Sequence, residues 1–139
     1  MPRVTRTSFV IAVPDLEASA AFYRDVLGFS VDAPDSVPGW RFYLLGTCTI
    51  MAGRCPNAIH PARLGDHSYF AYLEIDDIDA YYETVRAAGA EICHPPRDEP
   101  WGMREFCLRT VDGHRIMIGS PINKGDVGAE PTAAPDPAA

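Results

Sequence analysis

The sequence predicts an α+β fold assembled from two tandem βαβββ modules. Three observations predict it. Val13-Pro14-Asp15-Leu16 returns as Ile75-Asp76-Asp77-Ile78, an offset of 62 residues. Thr49-Ile50-Met51-Ala52-Gly53 returns as Arg115-Ile116-Met117-Ile118-Gly119, an offset of 66. Around these repeats the hydrophobic period switches from two to about 3.6 and back, the signature of strand, helix and strand in succession.

In module one, Phe9, Ile11 and Val13 alternate with Ser8, Val10 and Ala12, as in a strand with one buried face. Pro14 ends that strand and Asp15 can cap a helix. Leu16, Ala20, Tyr23 and Leu27 then form one helical stripe, and Gly28 suits the left-handed position after the last turn. A short strand is expected over 29–33, a turn-rich loop over 34–39, and a hairpin pairing 40–45 with 48–52 around Gly46-Thr47. In module two, Tyr69, Ala71, Leu73 and Ile75 form the inward face of a strand, and Asp76 or Asp77 caps the next helix. Ile78, Tyr81, Tyr82 and Val85 repeat the helical stripe, and Gly89 closes it. Strands follow at 91–93, 103–109 and 114–119, the last two joined at Val111-Asp112-Gly113.

The 139 residues, 47% of them hydrophobic, fit a single domain over 1–122, with module one at 5–53, a linker at 54–67 and module two at 68–120. Each half alone buries too little surface, so the modules are expected to share an interface. Residues 123–139 collapse into Pro, Ala, Gly, Asp and Thr and read as a flexible tail. A net charge of −7 argues against nucleic-acid binding, which needs a basic face. No apolar run approaches membrane-spanning length and the first residues carry no apolar leader, so a cytoplasmic location is expected. Cys48, Cys55, Cys93 and Cys107 fall in no CxxC pair, and reduced thiols are expected.

Val13-Pro14-Asp15-Leu16 leading into Ala21-Phe22-Tyr23-Arg24-Asp25-Val26-Leu27-Gly28-Phe29, with Trp101-Gly102-Met103-Arg104-Glu105-Phe106 and Asp112-Gly113-His114-Arg115-Ile116, resembles the vicinal oxygen chelate superfamily. That superfamily groups glyoxalase, bleomycin resistance proteins and extradiol dioxygenases; the resemblance is closest to metal-free, bleomycin-resistance-like members. It spans roughly residues 5 to 120. It implies eight strands in two mixed sheets curled around a cavity, helices outside, and homodimers whose clefts lie between modules of the same or different chains.

The superfamily's metalloenzymes hold a divalent ion with His, Glu or Gln from the first and fourth strands of each module. The resemblance places Ser8, Met51, Phe70 and Met117 at those positions, and the internal repeat pairs them in the same way. Hydroxyl, thioether and phenyl groups do not suit Zn²⁺, Mg²⁺ or Mn²⁺, which want imidazole or carboxylate. No metal and no other cofactor is therefore expected. His60, His67, His94 and His114 share no ligand spacing and read as surface or loop residues.

If those four positions face the cavity, alternation adds Val10, Ala12, Ser68, Tyr72 and Glu74, and the family pattern adds Trp101, Met103, Glu105 and Cys107. Trp40 and Phe42 come from the equivalent strand of module one, while Phe106 and Leu108 lie under the helix and Arg104 faces away. The expected ligand-binding set is Trp40, Phe42, Phe70, Tyr72, Trp101, Met103, Glu105 and Cys107: an apolar slot for a flat ring, with a carboxylate to fix it. Glu105 is a weak catalytic candidate as general acid or base, and Cys107 a nucleophile only if some group lowers its pKa.

Three functions compete. The first is a metal-free, homodimeric binding protein that sequesters an aromatic or cationic small molecule in an apolar inter-module cleft, as in antibiotic resistance or in binding of a host metabolite. The second is a metal-dependent lyase, isomerase or dioxygenase. The third is an interaction domain whose aromatics fill the cavity as core.

Overall fold

The structure, a computed structural model, describes residues 1–122; the expected tail at 123–139 lies outside them. Module one runs β1 (Phe9–Val13), α1 (Leu16–Asp25), β2 (Ser30–Asp32), β3 (Trp40–Leu45) and β4 (Cys48–Arg54). Module two runs β5 (Tyr69–Glu74), α2 (Ile78–Ala87), β6 (Glu91–Asp98), β7 (Met103–Arg109) and β8 (Arg115–Pro121). Each module folds its strands into one mixed sheet, in order β1-β4-β3-β2 and β5-β8-β7-β6. The fold is the expected α+β pair of modules. The first and last strands of each pair in parallel, β1 with β4 and β5 with β8, because α1 and α2 carry the chain across their sheets.

Both helices begin as their sequences dictate. The Asp15 carboxylate accepts from the amides of Glu17 and Ala18 at 3.0 and 3.1 Å, and Asp77 accepts from Ala80 at 3.1 Å. The α1 stripe of Leu16, Ala20, Tyr23 and Leu27 is buried, although the helix itself stops at Asp25. Gly28 then turns the chain at φ 83°, which seats Phe29 edge-on against Tyr23 at 5.3 Å.

β6 departs from expectation. The sequence suggested a strand ending at Cys93, but pairing continues through Pro95 and Pro96 to Asp98. β6 is the sheet's edge and pairs only with β7. The ladder is irregular between Ile92 and His94 and again between His94 and Arg97, so the prolines fall where a missing N–H costs no pairing bond.

The helix-facing sides of both sheets meet in one core, with Val13, Tyr23, Tyr43 and Ile50 from module one and Val85, Phe106, Ile116 and Ile118 from module two. A buried polar chain crosses the seam. The Tyr43 hydroxyl donates to Ser19 Oγ at 2.8 Å, and Ser19 donates to Asp112 on the β7–β8 hairpin at 2.8 Å. The Tyr81 hydroxyl donates to the Leu27 carbonyl at 2.7 Å. These bonds explain why α1 and the hairpin stay in register across 93 residues of sequence separation.

Tyr23 stacks on Tyr43 at 4.3 Å, yet its own buried hydroxyl has no hydrogen-bond partner among the described residues. An unpaired buried hydroxyl costs stability. We therefore expect Tyr23→Phe to match or exceed the parent by about 1 kcal/mol in urea melts. A clear loss of stability would show that the hydroxyl has a partner.

Candidate functional site

The sheet faces opposite the helices carry the candidate site. In module two the register aligns Tyr72, Met117 and Cys107 in one row across β5, β8 and β7, and Glu74, Gly119 and Glu105 in the next. Glu105 is only 4% exposed. Its Oε2 accepts from the Tyr72 hydroxyl at 2.6 Å and from Trp101 Nε1 at 3.2 Å. Both donors are neutral, and among the described residues no basic side chain pairs with Glu105. Arg97, opposite it on β6, is engaged by Glu99, and Arg104 turns to the helix side to meet Asp79 at 2.9 Å and Asp98 at 3.0 Å. Burial, followed by the bond to Glu105, pushes the Tyr72 phenol far above its usual pKa, so it stays a donor.

Gly119 makes this arrangement possible. A Cβ there would fall 1.9 Å from the Tyr72 hydroxyl oxygen. The missing side chain is the slot through which the phenol reaches Glu105. Gly53, its counterpart in the repeat, does the same for Trp40, whose ring would meet a Cβ at 2.8 Å. Each module thus lays one aromatic over the same repeated glycine. The repeat that ends on each glycine is the one sequence signal for this role, which no local pattern marks.

The remaining expected residues are dispersed. In module one, Trp40 lies opposite Gly53, and Phe42 lies opposite Met51, which in turn faces Val10. Val10 and Leu44 are 63% and 41% exposed, so this face is open. In module two, Cys107 is fully buried beside Tyr69, and burial, then contact with Cys93, pushes its thiol up to about 12. That makes it a poor nucleophile. Met103 starts β7 and is partly buried.

Phe70 is a correction. The ladder between β5 and β8 slips between Tyr69 and Ala71, and the extra residue is Phe70. It packs edge-on against Phe9 at 6.0 Å and His114 at 5.5 Å, as part of the core margin rather than the Glu105 row. Tyr69 takes the opposite side, with Arg115 at 5.3 Å from its ring and Cys107 in contact. Simple alternation cannot foresee a bulge, which reverses facing at one residue.

The metal positions do not converge on donors. Ser8 precedes β1, Met51 and Met117 are thioethers on β4 and β8, and Phe70 is turned away. Among the described residues no three His, Cys, Asp or Glu side chains gather as a ligand set. The residues present do not fit the superfamily's divalent ion. His60 caps the short turn at Pro61–Leu64 through Ala62, and His94 sits 3.1 Å from the Pro95 carbonyl. His114 is held largely neutral, its pKa lowered to about 4, first by burial and then by His60.

The expected cleft between the modules has a lining other than the expected one. A cleft of about 760 Å³ opens at the seam, lined by Phe9, Leu45, Cys48, Leu73, Glu74 and Tyr81 among others. Of the expected ligand-binding residues only Tyr72 borders it. Its walls come from both modules, so no local pattern announces which residues line it.

A family model for the glyoxalase/bleomycin resistance protein/dioxygenase superfamily matches residues 5–118. A search of curated proteins found no match. Among solved structures, a glyoxalase/bleomycin resistance protein/dioxygenase from Nocardioides is 22% identical with a TM-score of 0.70, covering 97% of this chain and 92% of its own. A bleomycin resistance determinant encoded on transposon Tn5 is 20% identical, with a TM-score of 0.69 and coverage of 85% and 98%. The bleomycin-binding protein of Streptomyces verticillus, solved with copper(II)-bleomycin, is 24% identical, with a TM-score of 0.66 and coverage of 85% and 97%. At these identities the structural likeness concerns the fold, and the family model carries the assignment: the chain belongs to the glyoxalase/bleomycin resistance protein/dioxygenase superfamily.

Proposed function

We propose that this protein is a metal-free small-molecule binding protein that sequesters an aromatic or cationic ligand against its apolar sheet faces, as a homodimer. The single observation that carries the reading is Glu105: a carboxylate 4% exposed, held by two neutral donors, among Trp101, Tyr72 and Met117. A buried anion without a counter-charge is costly. A cationic guest supplies the missing charge, and the aromatic faces add cation–π attraction. The donor types at Ser8, Met51, Phe70 and Met117 support the metal-free part of the proposal. The exposed Val10, Leu44 and Tyr72 favour an open binding face over a filled core. Two of the similar folds belong to a bleomycin resistance determinant and a bleomycin-binding protein, which makes bulky cationic aromatics the first ligands to try.

The test is a titration with planar dyes of matched size and different charge, followed by tryptophan fluorescence and melting temperature. A cationic dye should quench Trp101 and raise the midpoint, since a ligand of the native state stabilises it. Glu105→Gln should weaken that dye at least about tenfold and leave a neutral analogue nearly unchanged, as expected when a charge-assisted contact is lost. A panel in which no planar compound shifts the midpoint would sink the proposal. Equal affinity of parent and Glu105→Gln for the cation would remove Glu105 from it.

A further inference from the structure

On β6 and β7, Ile92 pairs with Leu108 and His94 with Cys107, so two steps on β6 match one on β7 and Cys93 is the extra residue. In such a bulge two residues of one strand oppose a single residue of the other. Leu108 and Ile92 face the core. Cys93 and Cys107, one step along each strand, therefore share the opposite face, where Cys93 and His94 together oppose Cys107 across the bulge and cross-strand neighbours lie about 4.5–5.5 Å apart at Cβ. That is close to the separation a disulfide needs. Cys93 and the Tyr69 hydroxyl both lie near enough to the Cys107 thiol to perturb it, Cys93 pushing its pKa up and Tyr69 pulling it down. Cys93 is exposed while Cys107 is fully buried, so an oxidant in solution reaches the first and not the second.

We infer that Cys93 and Cys107 form an oxidisable thiol pair whose disulfide closes reversibly across the β6–β7 ladder, beside the Glu105 row. The co-reactant is hydrogen peroxide. The Cys93 sulfur attacks the peroxide, the O–O bond breaks, one oxygen leaves as water and Cys93 becomes a sulfenic acid. The Cys107 sulfur then attacks Cys93, the S–S bond forms, the S–O bond breaks, and the hydroxyl departs as a second water with the Cys107 proton. Two thiols lose two electrons in all, and peroxide accepts them. A dithiol reverses the bond by exchange. Because burial holds the Cys107 thiol up at about 12, the second step quickens as pH rises. The pairing fastens an edge strand interrupted by two prolines to the strand that carries Glu105, whether or not the ligand proposal holds.

The full-length protein is treated with hydrogen peroxide, quenched, denatured, alkylated with N-ethylmaleimide and mapped by mass spectrometry. Two of the four thiols should become unreactive, with the 93 and 107 segments joined in one peptide that dithiothreitol separates. Cys93→Ser should leave Cys107 fully alkylatable after the same treatment, and Cys55→Ser should leave the cross-link intact. Cys93 is exposed, so its serine variant is expected to fold, and a matching circular dichroism spectrum establishes that. Over-oxidation of Cys93 with Cys107 still alkylatable would overturn the inference, as would a cross-link involving Cys48 or Cys55.

Discussion

Gly119→Ala is expected to destabilise the protein by about 1–3 kcal/mol and to weaken cation binding at the same time. An alanine in a strand ordinarily improves on glycine by restricting the unfolded chain. Here the new methyl would stand 1.9 Å from the Tyr72 hydroxyl oxygen and 2.6 Å from its ring carbon. Tyr72 is 45% exposed and has room to swing outward, which keeps the steric cost moderate. Its departure removes the 2.6 Å donor from Glu105 and leaves that buried carboxylate on Trp101 alone. The sign of the change is therefore diagnostic. Urea unfolding with an unchanged or raised midpoint would mean that Tyr72 does not occupy the Gly119 slot. Gly53→Ala is the internal comparison: its methyl meets only the far edge of the Trp40 ring, at 2.8 Å, so the milder loss is expected there.

The second large effect is a pH profile whose flatness conceals two opposing groups. Asp112, buried behind Ser19, has its pKa raised from 3.8 to about 6 by burial, which outweighs the downward pull of the Ser19 hydrogen bond; Asp15 adds a smaller push upward and His60 a smaller pull down. A raised carboxyl contributes stability that is complete below 3.8 and lost as pH climbs through 6. His114 has its pKa lowered from 6.5 to about 4, so its contribution is complete above 6.5 and lost as pH falls through 4. Each shift of roughly two units corresponds to ~3 kcal/mol, and the two run in opposite directions over the same window. Asp112→Asn keeps an acceptor for Ser19 but removes one limb, and its stability should drop steeply between pH 6.5 and pH 4. His114→Gln should do the reverse, gaining stability as pH falls from 6 towards 3.8. Urea midpoints across that range decide it. Parallel profiles for parent and both variants would mean that neither group titrates where burial places it.

Much of the fold was legible because its signals are local. Asp15 and Asp77 cap helices whose stripes are contiguous in sequence, and the hairpin at Asp112-Gly113 turns at a glycine with φ 93°. Arg104 was expected to face away from the site and does, since alternation on β7 is regular. Where alternation failed, a bulge was the cause. Alternation places Phe70 on the face that the β5 bulge denies it, and the prolines of β6 look prohibitive until the strand is known to be an edge. Glu105 was named from its strand position, but its partnership with Tyr72, 33 residues away, depends on a glycine that faces both.

By itself, then, the sequence determined the two repeated modules and the caps and stripes of their helices. These follow from residue chemistry and from periods that span a single element. The tertiary structure alone decided that Glu105 is buried with neutral donors, that a bulge at Cys93 interrupts the ladder beside Cys107, and that Asp112 is tied to Ser19 across 93 residues. Such contacts join side chains from separate elements, and their desolvation and spacing exist only once the sheets have packed.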